Sequence, residues 1–179
     1  MIIFSPCIIA LVGPPLHGKS TVALALAKMS NLCMVDIDVV KAKHFSDLTA
    51  EKLDITAQAY QLMADEVAAL VAQSQPIILS ATFSRKEFKD PFLQIFRSNK
   101  TRVFFLLVDS VDCIMSRIKN RNSKEKDHPI KSEAQYRWAL GLLDPWPGDM
   151  GIVDINADRN VDLIVRNVLD HCRGLILRG

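Results

Sequence analysis

Gly13-Pro14-Pro15-Leu16-His17-Gly18-Lys19-Ser20 lies between the apolar run Cys7-Ile8-Ile9-Ala10-Leu11-Val12 and the helix-forming run Thr21-Val22-Ala23-Leu24-Ala25-Leu26-Ala27-Lys28. The spacing G-x4-G-K-S, set after a strand pattern and before a helix pattern, is that of a phosphate-binding loop. Glycines at both ends let the backbone wrap an anion, and successive N–H groups and the helix N-terminus face phosphate oxygens. Lys19 reaches the outer phosphates and the Ser20 hydroxyl serves Mg²⁺. The candidate nucleotide-binding set is therefore Gly13, Pro15, Leu16, His17, Gly18, Lys19, Ser20 and Thr21. For His17 the useful group is the backbone N–H, and its imidazole is assigned no chemistry.

Away from the loop, short apolar runs alternate with amphipathic helical segments, the pattern of an α/β domain with a mainly parallel sheet. Strands are expected at residues 7–12, 32–36, 76–80, 102–108 and 152–155. A long helix over roughly 52–74 carries Leu62, Met63, Val67, Leu70 and Val71 at helical spacing. Later helices carry Phe88, Phe92, Ile95 and Phe96, then Val111, Ile114, Met115 and Ile118, then Val161, Ile164, Val165, Val168, Leu169 and Cys172, all read as packing faces. The 179 residues, 49% hydrophobic, form one domain over 1–179. A net charge of +2 implies neither a nucleic-acid nor a membrane surface. Cys7, Cys33, Cys113 and Cys172 lack metal-ligand spacing and read as buried thiols of a reducing compartment. With no basic leader and no apolar run long enough to span a bilayer, a cytoplasmic location and no membrane partner are expected.

Ligands of open parallel sheets bind beyond the carboxyl ends of the strands, so the residues there carry the chemistry. After the second strand stands Asp36-Ile37-Asp38, with Lys41 one turn on. In a continuing strand the two carboxylates point to opposite faces, Asp36 towards the metal and Asp38 towards an acceptor hydroxyl as general base. The competing reading makes Asp38 the N-cap of the next helix. Lys41 is either a contact for an acidic acceptor or a solvated helix lysine. After the third strand, Ser80 or Thr82 serves an acceptor or a metal-bound water, or else Thr82 or Ser84 caps the helix; Ala81 stands where many phosphate-loop enzymes carry a metal-binding Asp. Arg117 and Arg121 share one helix face leading into the polar stretch 122–129, which reads as a mobile flap before a helix opened by the box Ser132-x-x-Gln135. Closure of those arginines over a transferring phosphoryl would offset charge and exclude water. Trp146, in the turn 144–149, reads as a packing residue.

These features resemble the small P-loop kinases of the adenylate-kinase-like group, in particular the polynucleotide 5′-kinase, gluconate kinase and zeta-toxin-like subset, over about residues 7–156. Asp38 and Lys41 match the places of that group's base and acceptor-contacting Arg, the latter with Lys for Arg. Arg121-Asn122-Ser123-Lys124 with Pro129-Ile130 looks like its lid, about 117–131. Ser80-Ala81-Thr82 looks like gluconate kinases, whereas polynucleotide kinases place an Asp at position 81. The resemblance implies a three-layer α/β/α P-loop NTPase fold with a five-stranded parallel sheet ordered 2-3-1-4-5, an acceptor-side helical region at about 40–75, and adenine near Asn156 to Arg159. It implies an ATP- and Mg²⁺-dependent kinase for a hydroxyl of a small metabolite such as a sugar acid. Lys19, Asp38, Arg117 and Arg121 are then catalytic, and Ser20 and Asp36 hold the metal. A nucleoside, nucleotide or polynucleotide 5′-hydroxyl is the rival acceptor, disfavoured because Phe45 is the only aromatic near Lys41. A nucleotide-binding regulatory module with little turnover is the rival of another class.

Overall fold

The apolar run after Cys7 forms β1 (Ile8–Val12), every residue of which is buried. A strand with no polar alternation must be covered on both faces. It lies at the centre of one sheet with β2 (Cys33–Asp36), β3 (Ile77–Ser80), β4 (Thr101–Leu107) and β5 (Val153–Asn156). The order is β2-β3-β1-β4-β5 and every pairing is parallel, as expected. The structure, a computed structural model, describes residues 1–45, 52–108, 110–122 and 130–177.

Each parallel pairing needs a crossover, and helices supply it. They are α1 (Lys19–Met29), α2 (Ile37–Phe45), α3 (Lys52–Ala72), α4 (Lys86–Ser98), α5 (Val111–Asn122), α6 (Glu133–Gly141) and α7 (Val161–His171). Strand alternation divides the core in two. Ile9 and Leu11 of β1 join Phe104, Leu106 and Ile155 beneath α1 and α7. Ile8, Ala10 and Val12 join Leu79 and Val103 beneath α3 and α4, where Met63, Val67, Phe88 and Phe92 are buried. The sheet is thus the middle of three layers.

Three expectations need correction. Val111 and Met115 of α5 are 51% and 39% exposed, while Ile114 and Ile118 are buried, so this helix packs through a single i, i+4 row. Neither Thr82 nor Ser84 caps α4. Its N-cap position is Arg85, without a side-chain cap, and the Asp144 carboxylate accepts from the Lys86 N–H at 2.6 Å. Asp144 reaches α4 because its own N–H donates to Ser84 O at 2.7 Å and because buried Lys89 donates to the carbonyls of Asp144 and Pro145. The third concerns the cysteines: Cys7 and Cys172 are buried, but Cys33 and Cys113 only partly. Burial pushes the Cys7 and Cys172 thiols up to about 11 and about 12, so both stay protonated.

Trp146 packs against Phe83 and Phe96, with the Lys89 ammonium 5.2 Å from its ring centroid. The Ser132 hydroxyl accepts from the Gln135 N–H at 3.3 Å, and the Gln135 side chain reaches back to the N–H of Lys131 rather than of Ser132. The flap stretch 123–129 lies outside the described residues. No helix among the described residues is long and apolar enough to cross a membrane.

Candidate active site

Gly13 opens the loop at φ +133°, and a Cβ there would stand 2.8 Å from Leu106 O, so glycine is required both by the backbone and by its neighbour on β4. Gly18, at φ +81°, turns the chain into α1. Between them Leu16 adopts φ +69° with its side chain buried. The left-handed region costs a non-glycine residue about 1–2 kcal/mol. Such a residue persists where its surroundings over-determine it. Here the Leu16 side chain lies in the α1/α7 core and Arg117 Nη1 donates to Leu16 O at 2.8 Å. The other end of the same guanidinium donates to Ala157 O at 2.6 Å, tying the loop to the segment after β5. Arg117 is thus held as a strut beside the loop, with Gly18 close to its Nη1.

His17 is 2% exposed, and its ring is bonded at both nitrogens. Nδ1 lies 2.6 Å from Leu106 O and Nε2 2.7 Å from the Tyr136 hydroxyl. A carbonyl oxygen only accepts, so Nδ1 carries the proton and Tyr136 O–H donates to Nε2. Burial drives the His17 pKa from 6.5 down to about 4 against the opposing Leu106 hydrogen bond; Lys19 and Arg117 add to the fall and Asp158 opposes it. The imidazole, to which the sequence assigned no chemistry, is thus a neutral bridge from the loop to β4 and α6.

Lys19 is 9% exposed and donates to Pro14 O at 2.7 Å. Burial lowers its pKa to about 8 although Asp38 and Asp36 pull upward, and Arg121 depresses it further. An ammonium in that state gains from any anion brought to the loop. One residue on, Ser20 Oγ donates to Asp36 Oδ2 at 2.7 Å and lies 3.2 Å from Ser80 Oγ. This cluster of small hard oxygens fits Mg²⁺, which takes one or two protein ligands and fills its remaining positions with water and phosphate. Ser80 supplies an oxygen at the end of β3 where Ala81 cannot.

The expected alternation of Asp36 and Asp38 along a strand does not occur, because the strand ends at Asp36 and α2 begins at Ile37. Asp36 Oδ1 accepts from the Asp38 N–H at 2.8 Å, so Asp36 does the capping. The Asp38 side chain is exposed and borders the same cleft as the phosphate loop. That cleft, about 1280 Å³, runs across the carboxyl ends of the strands. Arg117, bonded to the loop, borders it, and Asp38, Lys41, Thr56, Thr82, Ser84, Arg121, Trp138, Arg159 and Val161 line it as well. Burial lowers the Lys41 pKa, with Asp38 opposing.

Tyr60, on α3, was not singled out in the sequence, although it lies three residues before Met63 on the apolar stripe. It is 3% exposed, stacks on Phe88 at 4.7 Å between centroids, and its hydroxyl accepts from the Phe83 N–H at 2.9 Å. Burial raises its pKa well above the ordinary phenol value, so it stays protonated. Since Phe83 holds φ +51°, the Tyr60 hydroxyl fixes the turn that presents Thr82 and Ser84 to the cleft. Tyr60→Phe is expected to cost about 1–2 kcal/mol in urea unfolding, the loss of a hydrogen bond to a buried N–H; an unchanged midpoint would remove Tyr60 from that role.

Comparison with known proteins agrees with this architecture. A family model described as an AAA domain matches residues 8–145. A gluconokinase from Sinorhizobium meliloti superposes with a TM-score of 0.64 at 14% identity, covering 96% of this chain and 94% of that one. The APS kinase CysC of Mycobacterium tuberculosis, in complex with AMPPNP and APS, gives 0.64 at 17% identity over 94% and 98% of the two chains. Shikimate kinase from Acinetobacter baumannii, in complex with shikimate, gives 0.66 at 16% over 93% of each. The sequence has no significant match among curated proteins.

Proposed function

Because the chain belongs to the AAA_33 family of AAA domains and shares the fold of small P-loop kinases, we propose that it is an ATP- and Mg²⁺-dependent phosphotransferase acting on a hydroxyl of a small metabolite. One observation carries this reading: a single cleft joins the phosphate loop, with buried Lys19 and the Ser20–Asp36 pair, to the exposed carboxylate of Asp38. An exposed carboxylate facing the phosphate site across that cleft suits an acceptor hydroxyl, beyond its pull on the Lys19 charge.

In this mechanism the loop amides from Leu16 to Ser20 and the Lys19 ammonium hold the phosphates. Ser20 and Asp36 hold Mg²⁺, which when bound offsets negative charge on the outer phosphates. Asp38 orients the acceptor hydroxyl and takes its proton. Arg121 offsets charge on the transferring group. Arg117, with both ends of its guanidinium on carbonyls, shapes the loop and the nucleotide side of the cleft. Gly13, Pro15 and Thr21 complete the loop and its first helical turn.

Lys41, a half-buried cation that lines the same cleft as Thr56, Thr82 and Ser84, favours an anionic, hydroxylated acceptor of the sugar-acid type. Trp138, 66% exposed yet bordering the cleft, favours a second reading in which a nucleoside or polynucleotide 5′-hydroxyl is the acceptor and its base stacks there. ADP release measured across sugar acids, polyols, nucleosides, nucleotides and 5′-hydroxyl oligonucleotides separates the two. Stimulation by a sugar acid supports the first reading and by an oligonucleotide the second. ATP binding with no stimulation by any class would favour a regulatory module.

A further inference from the structure

The phosphate loop is held from outside by a bond that binding of a nucleotide does not itself require. His17 occupies the middle of the loop and borders the cleft, yet its side chain is turned inward, between the end of β4 and α6. The neighbouring Leu16 is in the left-handed region, and neither proline in the loop can donate a backbone hydrogen bond to hold it. The anchors on the loop at these residues come from Arg117 on α5, from Leu106 on β4 and from Tyr136 on α6. Of these, the Tyr136 hydroxyl acts only through His17: Tyr136 is 8% exposed and stands behind the imidazole, 6.0 Å from it between ring centroids.

We propose that Tyr136 is a positioning residue for nucleotide binding: by donating to His17 Nε2 it fixes the imidazole against Leu106 and keeps the Leu16–Gly18 backbone in its phosphate-binding shape before nucleotide arrives. This rests on the nucleotide-binding reading above. The bond also joins the loop to α6, the helix that carries Trp138 and Ala139 along the cleft. A loop shaped in advance binds more tightly, because the ordering of its backbone is no longer charged against the ligand.

The test is a double-mutant cycle on the affinity for Mg·ATP, read by titration calorimetry at pH 7.5. Tyr136→Phe deletes one oxygen and leaves the ring in place. His17→Asn keeps an amide to donate to Leu106 O but is too short to reach Tyr136. Each variant is expected to weaken binding about three- to tenfold, the loss typical of one buried hydrogen bond. The double variant should be no weaker than the poorer single, because both delete the same bond. A role in packing alone would lower the melting temperature and leave the affinity unchanged, so the melting curve of every variant is recorded beside its Kd. Wild-type affinity in a folded Tyr136→Phe protein, or single losses that multiply in the double variant, would overturn the proposal. If wild type binds no nucleotide, the functional reading falls and this inference with it; if wild type binds and Lys19→Ala does not, that reading stands whatever Tyr136 does.

Discussion

Asp38→Asn is expected to lower acceptor-stimulated ADP release about 10²–10⁴-fold, the usual contribution of a positioned general base, while Mg·ATP affinity stays within about threefold of wild type. The substitution keeps size and shape and removes only the negative charge. The helix start survives, because the carboxylate that caps it belongs to Asp36. Folding should be insensitive as well, since the Asp38 side chain is exposed in the cleft. The affinity has one reason to move: Asp38 helps to keep Lys19 protonated against its burial. Without Asp38 the Lys19 pKa of about 8 falls further, and Asp36 remains to pull it upward. The measurement is steady-state turnover with the acceptor identified from the panel, together with calorimetric ATP binding. An Asn variant that keeps acceptor stimulation within a few fold of wild type would take the base assignment away from Asp38.

Acid should destabilise the protein through His17 in a window that can be named. Its folded pKa of about 4 lies below the ordinary 6.5, because burial penalises the imidazolium. Between these values the unfolded chain binds the proton and the folded chain does not, so stability rises with pH across the window. The contribution is complete above about 6.5 and gone below about 4. The difference, at about 1.4 kcal/mol per tenfold in proton affinity, amounts to about 3 kcal/mol. The charged and titratable groups facing the ring, namely Lys19, Arg117, Asp158 and Tyr136, are common to wild type and His17→Asn. Urea unfolding of both at pH 7 and pH 4.5 therefore isolates the histidine: wild type should lose more stability than the variant by roughly 2–3 kcal/mol. Equal losses would mean that the ring is not held neutral.

Much of the architecture was legible because it rests on local chemistry. Uninterrupted apolar runs bounded by polar residues located all five strands within a residue of their ends, and the loop's two glycines stand at the positive φ values the motif needs. The sheet order came from resemblance, since five buried strands of similar composition carry no mark of who neighbours whom. At the cleft, Lys19 and Ser20 stood out by the G-x4-G-K-S spacing, and Asp36 and Asp38 by their place at the end of the second strand. The division of labour between Asp36 and Asp38 was not, because it depends on where β2 stops and α2 starts.

The sequence by itself determined a parallel α/β domain with a phosphate loop at the end of its first strand, since strand, loop and helix are written in consecutive residues. Tertiary structure alone decided the partners brought in from afar: Asp144 capping α4 from 58 residues away, Tyr60 setting the turn at Phe83, Arg117 on Leu16, and Tyr136 on His17 across 119 residues. The physical reason is common to all four. An orphan N–H at a helix start, or a buried N–H, carbonyl or imidazole, calls for a hydrogen-bond partner, but the requirement sets only the chemistry of that partner. Which side chain meets it is fixed by how the helices pack on the sheet.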